Sequence, residues 1–533
     1  MSTDAEVFQP LSPLEQAFER WRMRVGLVLA PVLFVALWWA PWSPPVADAP
    51  GATLVDLLPA IFHPGTRADG PGLSAEAHRL AAILATVVWL WVTEALPMPV
   101  TALLGASACV VLGVAEAKAV FAPFASPLMF LFIGSFFLSR AIFLHGLDRR
   151  LAYGVIGSRW VGGNPSRILL AFGLVTAGLS AWISNTATTA MMLAIGVSIL
   201  RFLYGPATGG GQLDRRYATG LALMTSFAAS IGGLATPIGT PPNVIGLGFI
   251  QQELQIKISF LKWMLLGVPV VTVLFILLYL YLNWACPAGR DEVAGGRELL
   301  QERRRELGPL SPGERSTLCA FLVTVALWLL PGIAALVWGE SHAWAKGVQQ
   351  ALPEGVAALV GSGLLFLLPG TAGERALTWP QAAQIDWGVV LLYGGGFALG
   401  ELSNKTGLAN AVGQGMAAWL PSHSEFALLA GATLVAALVS EATSNTASAQ
   451  IVVLLAIRMA EAAGIDPLGP ALGATFGASL GFMLPVSTPC NAIVYGTGYV
   501  PLSRMIRYGL LLDAAGVVTI VTLLKLLLPL VRP

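Results

Sequence analysis

Charge is what this chain has least of. Lys, Arg, Asp and Glu make up 11% of its 533 residues, against roughly a quarter in soluble domains. Hydrophobic residues reach 56%. Length alone would permit two or three soluble domains, and this scarcity excludes them. Cysteine and histidine are sparse as well. Cys109, Cys286, Cys319 and Cys490 lack metal-type spacing and three lie in or beside apolar runs, so buried free thiols are expected, not a disulfide framework. The five His residues form no His-x-x-x-His pair, which leaves no sign of a metal centre or cofactor. A net charge of +1 points to no nucleic-acid partner.

What the chain does have is continuous apolar runs of about 18 or more residues, each long enough to cross roughly 30 Å of hydrocarbon. They do not alternate as in a lipid-facing barrel. An all-α polytopic membrane protein follows. Spans are expected near 25–41, 78–96, 98–116, 125–146, 259–283, 316–338, 353–370, 386–403 and 506–531. The "VADA" stretch after the first run is similar to a signal cleavage site, but the 24-residue polar leader favours a retained helix.

The triplet Ser184-Asn185-Thr186 recurs as Ser444-Asn445-Thr446, each time inside apolar sequence. Short polar residues favour breaks and helix N-caps. A break at membrane depth is tolerated only inside protein or a water-filled cavity. Two half-length arms around each triplet (165–183 and 187–203; 424–442 and 447–464) therefore read as re-entrant hairpins. Each hairpin is followed by a second break, in a span over 217–256 and in another over 469–500. The breaks share Pro-[Ile/Val]-small-Thr-Pro-x-Asn, at Pro237–Asn243 and Pro485–Asn491. Prolines free carbonyls, and carbonyls with hydroxyl and amide oxygens suit Na⁺. Half-helix N-termini suit an anion.

The chain thus divides into a segment 1–77 with a cytoplasmic leader, the first helix and an extracytoplasmic loop, a first repeat 78–283 (hairpin about 165–203), a linker 284–315 and a second repeat 316–533 (hairpin about 424–464). Counting each hairpin as non-crossing gives eleven crossings. Segments 1–24, 140–167, 201–216, 284–315, 371–385 and 501–507 then hold 20 of the 30 Lys and Arg residues. The positive-inside rule places these in the cytoplasm, with the N-terminus inside and the C-terminus outside. The linker's "RELLQERRREL" reads as a short solvated helix. Corresponding elements face opposite sides, as in an inverted-topology repeat with its site near the midplane.

No Lys, Arg or His occurs within 180–193, 226–250, 442–457 or 479–500. An anion held there needs amide donors, helix ends and a bound cation, and that mutual dependence is a coupling mechanism. Two facing tips suit a two-carboxylate molecule better than a compact tetrahedral anion. Glu441, before the second tip, is an ionisable group in an apolar stretch, with a functional or a hairpin-holding role. Glu94, and Glu401 with Lys405, read as interfacial or paired, and the tryptophans at span ends as belt or packing.

"WISNTATTAMM", "TSNTASA", "TPIGTPPN", "GASLGFMLPVSTPCNAIVYGTG" and "TEALP" resemble the divalent anion:sodium symporter family, also called solute carrier family 13, from about residue 78 to the end. The resemblance implies a homodimer with a static scaffold and a transport domain moving as an elevator. It implies one Na⁺ site at Ser180, Ser184, Asn185 and Gly239, and another at Ser440, Thr443, Asn445 and Ser487. Substrate would meet Asn185, Thr186, Asn445 and Thr446, with Thr240, Pro241, Thr488 and Pro489 beside them. Cys490 stands where a proline is common and Ser440 where Thr is expected. The expected function is Na⁺ symport of C4-dicarboxylates across a bacterial inner membrane, with a sulfate or tricarboxylate carrier, or a sodium-independent exchanger, as alternatives. An enzyme would need a nucleophile–base pair or metal cluster near the breaks, and the sequence offers none.

Overall fold

Short polar caps and prolines write the helix ends into this chain. Asn164 Oδ1 accepts from Arg167 N at 3.1 Å, with Pro165 as first helical residue. Ser424 and Ser444 cap in the same way, and Ser311 with Glu314 forms a reciprocal capping box. The computed structural model describes residues 13–39, 74–203, 215–289, 301–302, 304–371, 373–417 and 424–532. Among these, all regular structure is helical apart from an isolated Pro369–Arg375 bridge.

The principal helices are α1 (Pro13–Trp39), α2 (Ala75–Thr93), α3 (Met98–Val111), α4 (Pro127–His145), α5 (Leu147–Ile156), α6 (Pro165–Ser180) and α7 (Asn185–Leu203). Then come α8 (Arg215–Gly232), α9 (Pro241–Leu254), α10 (Phe260–Ala285), α11 (Pro312–Trp338), α12 (Glu354–Gly363) and α13 (Trp387–Lys405). The last are α14 (Leu408–Ala417), α15 (Glu425–Ala442), α16 (Asn445–Ala462), α17 (Leu468–Gly477), α18 (Pro489–Tyr495) and α19 (Leu502–Leu527). Among the described residues eight helical segments are long and apolar enough to cross a membrane, and α3, α6 and α12 with its 3₁₀ extension are shorter apolar helices. The count of eleven crossings stays an expectation.

Two elements differ from the sequence reading. The stretch 140–167 contains α5, and α14 follows α13 where no helix is expected. Each starts after a left-handed glycine, Gly146 (φ +71°) and Gly407 (φ +80°), and opens on a buried leucine, Leu147 and Leu408. Their 10 residues each fall short of the length that hydropathy detects. Of the linker helix expected over "RELLQERRREL", 297–300 and 303 lie outside the described residues, while 301–302 and 304–306 are helical. The leader 1–12 and the loop 40–73, with its "VADA" stretch, also lie outside them. The cysteines are all free, with Cys319 exposed and the other three buried.

The helices pack in two groups. In one, α1 lies on α2, α3 on α13, and α12 on α4 and α11. The other centres on α8, whose apolar window is wholly buried in the protein. It touches α6, α7, α10 and α18. Gly232 lets α8 approach α6, since a Cβ there would lie 2.2 Å from the Ala177 carbonyl oxygen. The halves also exchange partners. From the first half α9 packs on α16 and α17, and from the second α18 packs on α7 and α8. This exchange carries all four breaks to one place.

Candidate functional site

Each Ser-Asn-Thr triplet occupies the turn of a helical hairpin. The chain leaves α6 at Ser180 and re-enters helix at Asn185, and it leaves α15 at Ala442 and re-enters at Asn445. Both turns face one cleft of about 940 Å³. Asn185, Thr186, Thr240, Pro241, Asn445, Thr446, Thr488 and Pro489, the eight residues expected to meet substrate, all line it.

The broken helices are held in register by one device used twice. Asn243 Nδ2 donates to the carbonyls of Gly233 (2.9 Å) and Thr236 (2.8 Å). Asn491 Nδ2 donates to Gly481 (2.9 Å) and Leu484 (3.0 Å), at the same offsets. Thr240 (φ −144°, ψ 147°) and Thr488 (φ −143°, ψ 147°) adopt one backbone conformation. Proline follows each threonine as the first helical residue, where its missing N–H costs nothing. Glycine is required where each tip meets its break. A Cβ on Gly233 would lie 2.7 Å from Asn185 Oδ1, and one on Gly481 3.0 Å from Asn445 Oδ1.

Oxygens gather behind each asparagine. Ser180 Oγ donates to Asn185 Oδ1 at 2.5 Å, and that oxygen lies 3.2 Å from the Ala229 carbonyl oxygen and 3.1 Å from that of Gly239. Reversing the amide turns these approaches into donated hydrogen bonds. The four oxygens are of the kind that unwound carbonyls and polar side chains bring together in transporters. Ser180, Asn185 and Gly239 thus come together, and Ser184 is exposed at the tip in the cleft wall. In the second half Ser440 Oγ donates to Asn445 Oδ1 at 2.7 Å and approaches the Ala478 carbonyl at 2.9 Å. The other two expected members are engaged elsewhere. Thr443 Oγ1 donates to its own helix at Val439 O, 2.7 Å, and Ser487 Oγ lies 2.5 Å from Glu441 Oε2. Glu441 holds the hairpin, its carboxylate accepting from Met483 N (2.6 Å) and Leu484 N (3.2 Å).

Four helices, α7, α9, α16 and α18, begin at the cleft, directing N–H groups and positive dipole ends toward it. The ends of α6, α8, α15 and α17 bring free carbonyls to the same breaks. N–H donors and carbonyl oxygens thus meet at the same breaks.

The cleft as a whole is less free of charge than the four sequence windows imply. Arg22, paired with Glu94 at 2.7 Å, and Arg140, which donates to Gln384 Oε1, line its wall. Both come from helices outside the hairpins, 72 and 244 residues from their partners. Windows of chain neighbours do not reach them. Arg458, one residue past the third window, is itself buried and pairs with Glu253, Asn404 and the exposed Glu461. Glu401 and Lys405 form the expected pair, at 2.5 Å. Ser230 and Cys490 also line the cleft and were not expected there. Ser226 and Ser230, four apart on a helix with no basic residue nearby, were the available signal.

A family model described as the sodium:sulfate symporter transmembrane region matches residues 53–531, starting well before residue 78. The sodium-dependent dicarboxylate transporter SdcS of Staphylococcus saprophyticus is 31% identical over 514 residues, 95% of this chain and 91% of that protein. SdcS of Staphylococcus aureus USA300 is 31% identical over 515 residues, with the same shares covered. Among solved structures, MtrF of Neisseria gonorrhoeae, titled as one of a class of antimetabolite efflux pumps, aligns over 95% of this chain and 96% of its own. Its TM-score is 0.52 at 14% identity, a likeness of fold. With its paired tips, paired proline breaks and family match along nearly its whole length, the chain belongs to the sodium:sulfate symporter family of multi-pass membrane transporters, the divalent anion:sodium symporters.

Proposed function

We propose that this protein imports C4-dicarboxylates such as succinate, malate or fumarate by Na⁺ symport, through elevator-type alternating access in a bacterial inner membrane. The observation that carries the reading is the meeting of two mirrored Ser-Asn-Thr tips in one cleft, each tip backed by clustered oxygens. The tips Asn185–Thr186 and Asn445–Thr446 each receive one carboxylate, beside Thr240, Pro241, Thr488 and Pro489. One Na⁺ sits with Ser180, Ser184, Asn185 and Gly239, and one with Ser440, Thr443, Asn445 and Ser487. Each cation offsets the charge of the dianion in a low-dielectric site, so neither ligand binds well alone. The relatives named as sodium-dependent dicarboxylate transporters support this substrate class.

The Lys and Arg distribution supports a cytoplasmic N-terminus and an extracytoplasmic C-terminus. On that orientation Arg22, Glu94, Arg140 and Gln384 stand at the cytoplasmic mouth of the cleft. The conformation described is then inward-facing, with the Glu253–Arg458–Asn404 contact closing the outer side. In this reading α6–α10 and α15–α19 move against a dimeric scaffold built from α1–α4 and α11–α13.

The test is succinate uptake into proteoliposomes. An inward Na⁺ gradient should drive it and a K⁺ gradient should not. Sodium-independent exchange would reject symport. The family description includes sulfate, so the competitor panel includes sulfate and citrate, and stronger competition by either than by succinate would reassign the substrate.

A further inference from the structure

The hairpins superimpose at an offset of 260 residues, Asn185 on Asn445, and the broken helices at 248, Asn243 on Asn491. Applied to every position near the cleft, these offsets expose one cluster whose chemistry is not repeated. The hydroxyls of Thr186, Thr189 and Ser230 surround the thiol of Cys490. Thr189 is fully buried, and Ser230 and Cys490 are each 2% exposed. Apart from the Cys490 thiol beside them, the Thr189 and Ser230 hydroxyls have no hydrogen-bond partner. Three elements supply the cluster: α7 gives Thr186 and Thr189, α8 gives Ser230, and α18 gives Cys490. The offsets carry Thr189 to Ala449, Ser230 to Ala478 and Cys490 to Pro242. Thr186 maps to Thr446, so the mirrored place keeps the hydroxyl next to the tip while its other three positions are apolar.

Packing alone does not account for the difference, because the same backbone framework is filled by apolar groups on the other side. Two buried hydroxyls whose one polar neighbour is a weakly bonding thiol stay incompletely satisfied until something completes them. Ser230 lines the cleft, as do Thr186 and Cys490, so a bound molecule reaches the cluster directly. We infer that Thr189, Ser230 and Cys490 form a polar subsite at one end of the cleft that receives an oxygen substituent adjacent to a substrate carboxylate. At the other end the positions in register are Ala449, Ala478 and Pro242, whose side chains offer no such donor and do not line the cleft. Recognition is therefore unequal at the two ends, and a 2-hydroxy or 2-oxo dicarboxylate gains a contact that succinate lacks. The inference rests on the reading of the cleft as a dicarboxylate site.

The experiment uses the full-length protein in proteoliposomes, in a Cys319→Ser background so that the exposed thiol does not react. Malate and unlabelled succinate compete against Na⁺-driven uptake of labelled succinate. In Ser230→Ala and in Thr189→Val the malate concentration for half-inhibition should rise about fivefold to tenfold, the size of a lost neutral hydrogen bond. That for succinate should stay within about twofold. Two variants guard against one misfolding, and size-exclusion profiles check both. A small methanethiosulfonate reagent should modify Cys490 more slowly with malate and Na⁺ present than with succinate and Na⁺. Equal shifts for both acids, or no protection by malate, would overturn the subsite and leave the cleft assignment standing. Wild-type protein that takes up no succinate with Na⁺ would remove both.

Discussion

The two hairpin tips carry the same Ser-Asn-Thr triplet into one cleft and are fastened by different chemistry. In the first half Thr236 Oγ1 donates to the carbonyl of Ala181. In the second, the residue in register with Ala181 is Glu441 and the one in register with Thr236 is Leu484. The carboxylate of Glu441 gathers two backbone N–H groups, and Ser487 Oγ lies 2.5 Å from its Oε2 and 3.0 Å from its carbonyl. Ser487 stands where the first half has Gly239, and a Cβ on Gly239 would already lie 3.0 Å from the Ala181 carbonyl. One fastening is a neutral hydroxyl, the other a buried, charge-assisted cluster. What both halves keep is what the geometry requires: a serine behind each asparagine, a glycine under each amide, an asparagine clamping each break. Where they diverge, the fold tolerates a choice, and the choice sets the properties of each side.

The shared part is tested first, because it carries the largest effects. Asn185→Ala and Asn445→Ala should each lower Na⁺-driven succinate uptake by about 100-fold or more, with an unchanged size-exclusion profile. On the proposed function each removes an amide from both an anion and a cation contact, and bonds to charged groups are worth about 1.5–3 kcal/mol each. Uptake surviving in one variant and lost in the other would break the equivalence of the tips. The divergent fastenings come next. Glu441→Ala, which installs the first half's residue, leaves two N–H groups and a hydroxyl without their acceptor and should destabilise by about 3 kcal/mol. Thr236→Val removes one neutral bond and should cost about 1 kcal/mol. Thermal unfolding in detergent, followed by tryptophan fluorescence, reads both. Equal losses would show that the two fastenings are energetically alike.

The same division explains what the sequence disclosed. Ser-Asn-Thr and Pro-x-small-Thr-Pro-x-Asn are visible because identical residues recur wherever both halves need identical geometry. The apolar runs are visible because a hydrocarbon solvent selects them. The partners of the residues that tie the breaks together are not, since they are remote in the chain, even where the residue itself stands out as Glu441 does. Glu441 meets N–H groups 42 and 43 residues on, and Ser226 Oγ meets Asn491 Oδ1 265 residues on, at 2.6 Å. Only the exchange of α9 and α18 between halves makes that contact. Arg22 and Arg140 enter the cleft from helices that no motif marks. The helices α5 and α14 are too short to register as spans, yet "HGLDRRLA" and "TGLANAVG" repeat Gly-Leu at their starts. That echo was the signal for them.

These two helices extend the comparison beyond the cleft and give it its smallest test. After the shared glycine and leucine comes Asp148 in α5 and Ala409 in α14. Asp148 is 3% exposed and its Oδ1 has no hydrogen-bond partner. Burial raises its carboxyl above the ordinary 3.8, against smaller opposing effects of the Arg149 N–H and the Arg149 charge. An acid raised in the folded state binds its proton more tightly there than in the unfolded chain. Stability therefore grows as pH falls through the raised value, and the gain is complete below 3.8. Asp148→Ala copies the second half and removes this dependence. The variant should unfold at a higher temperature than wild type at pH 8, by on the order of 1 °C for a chain this long. The advantage should shrink as pH is lowered toward 5. An advantage that stays constant with pH would assign the effect to helix propensity, since alanine is the better helix former, and would leave α5 and α14 equivalent in charge.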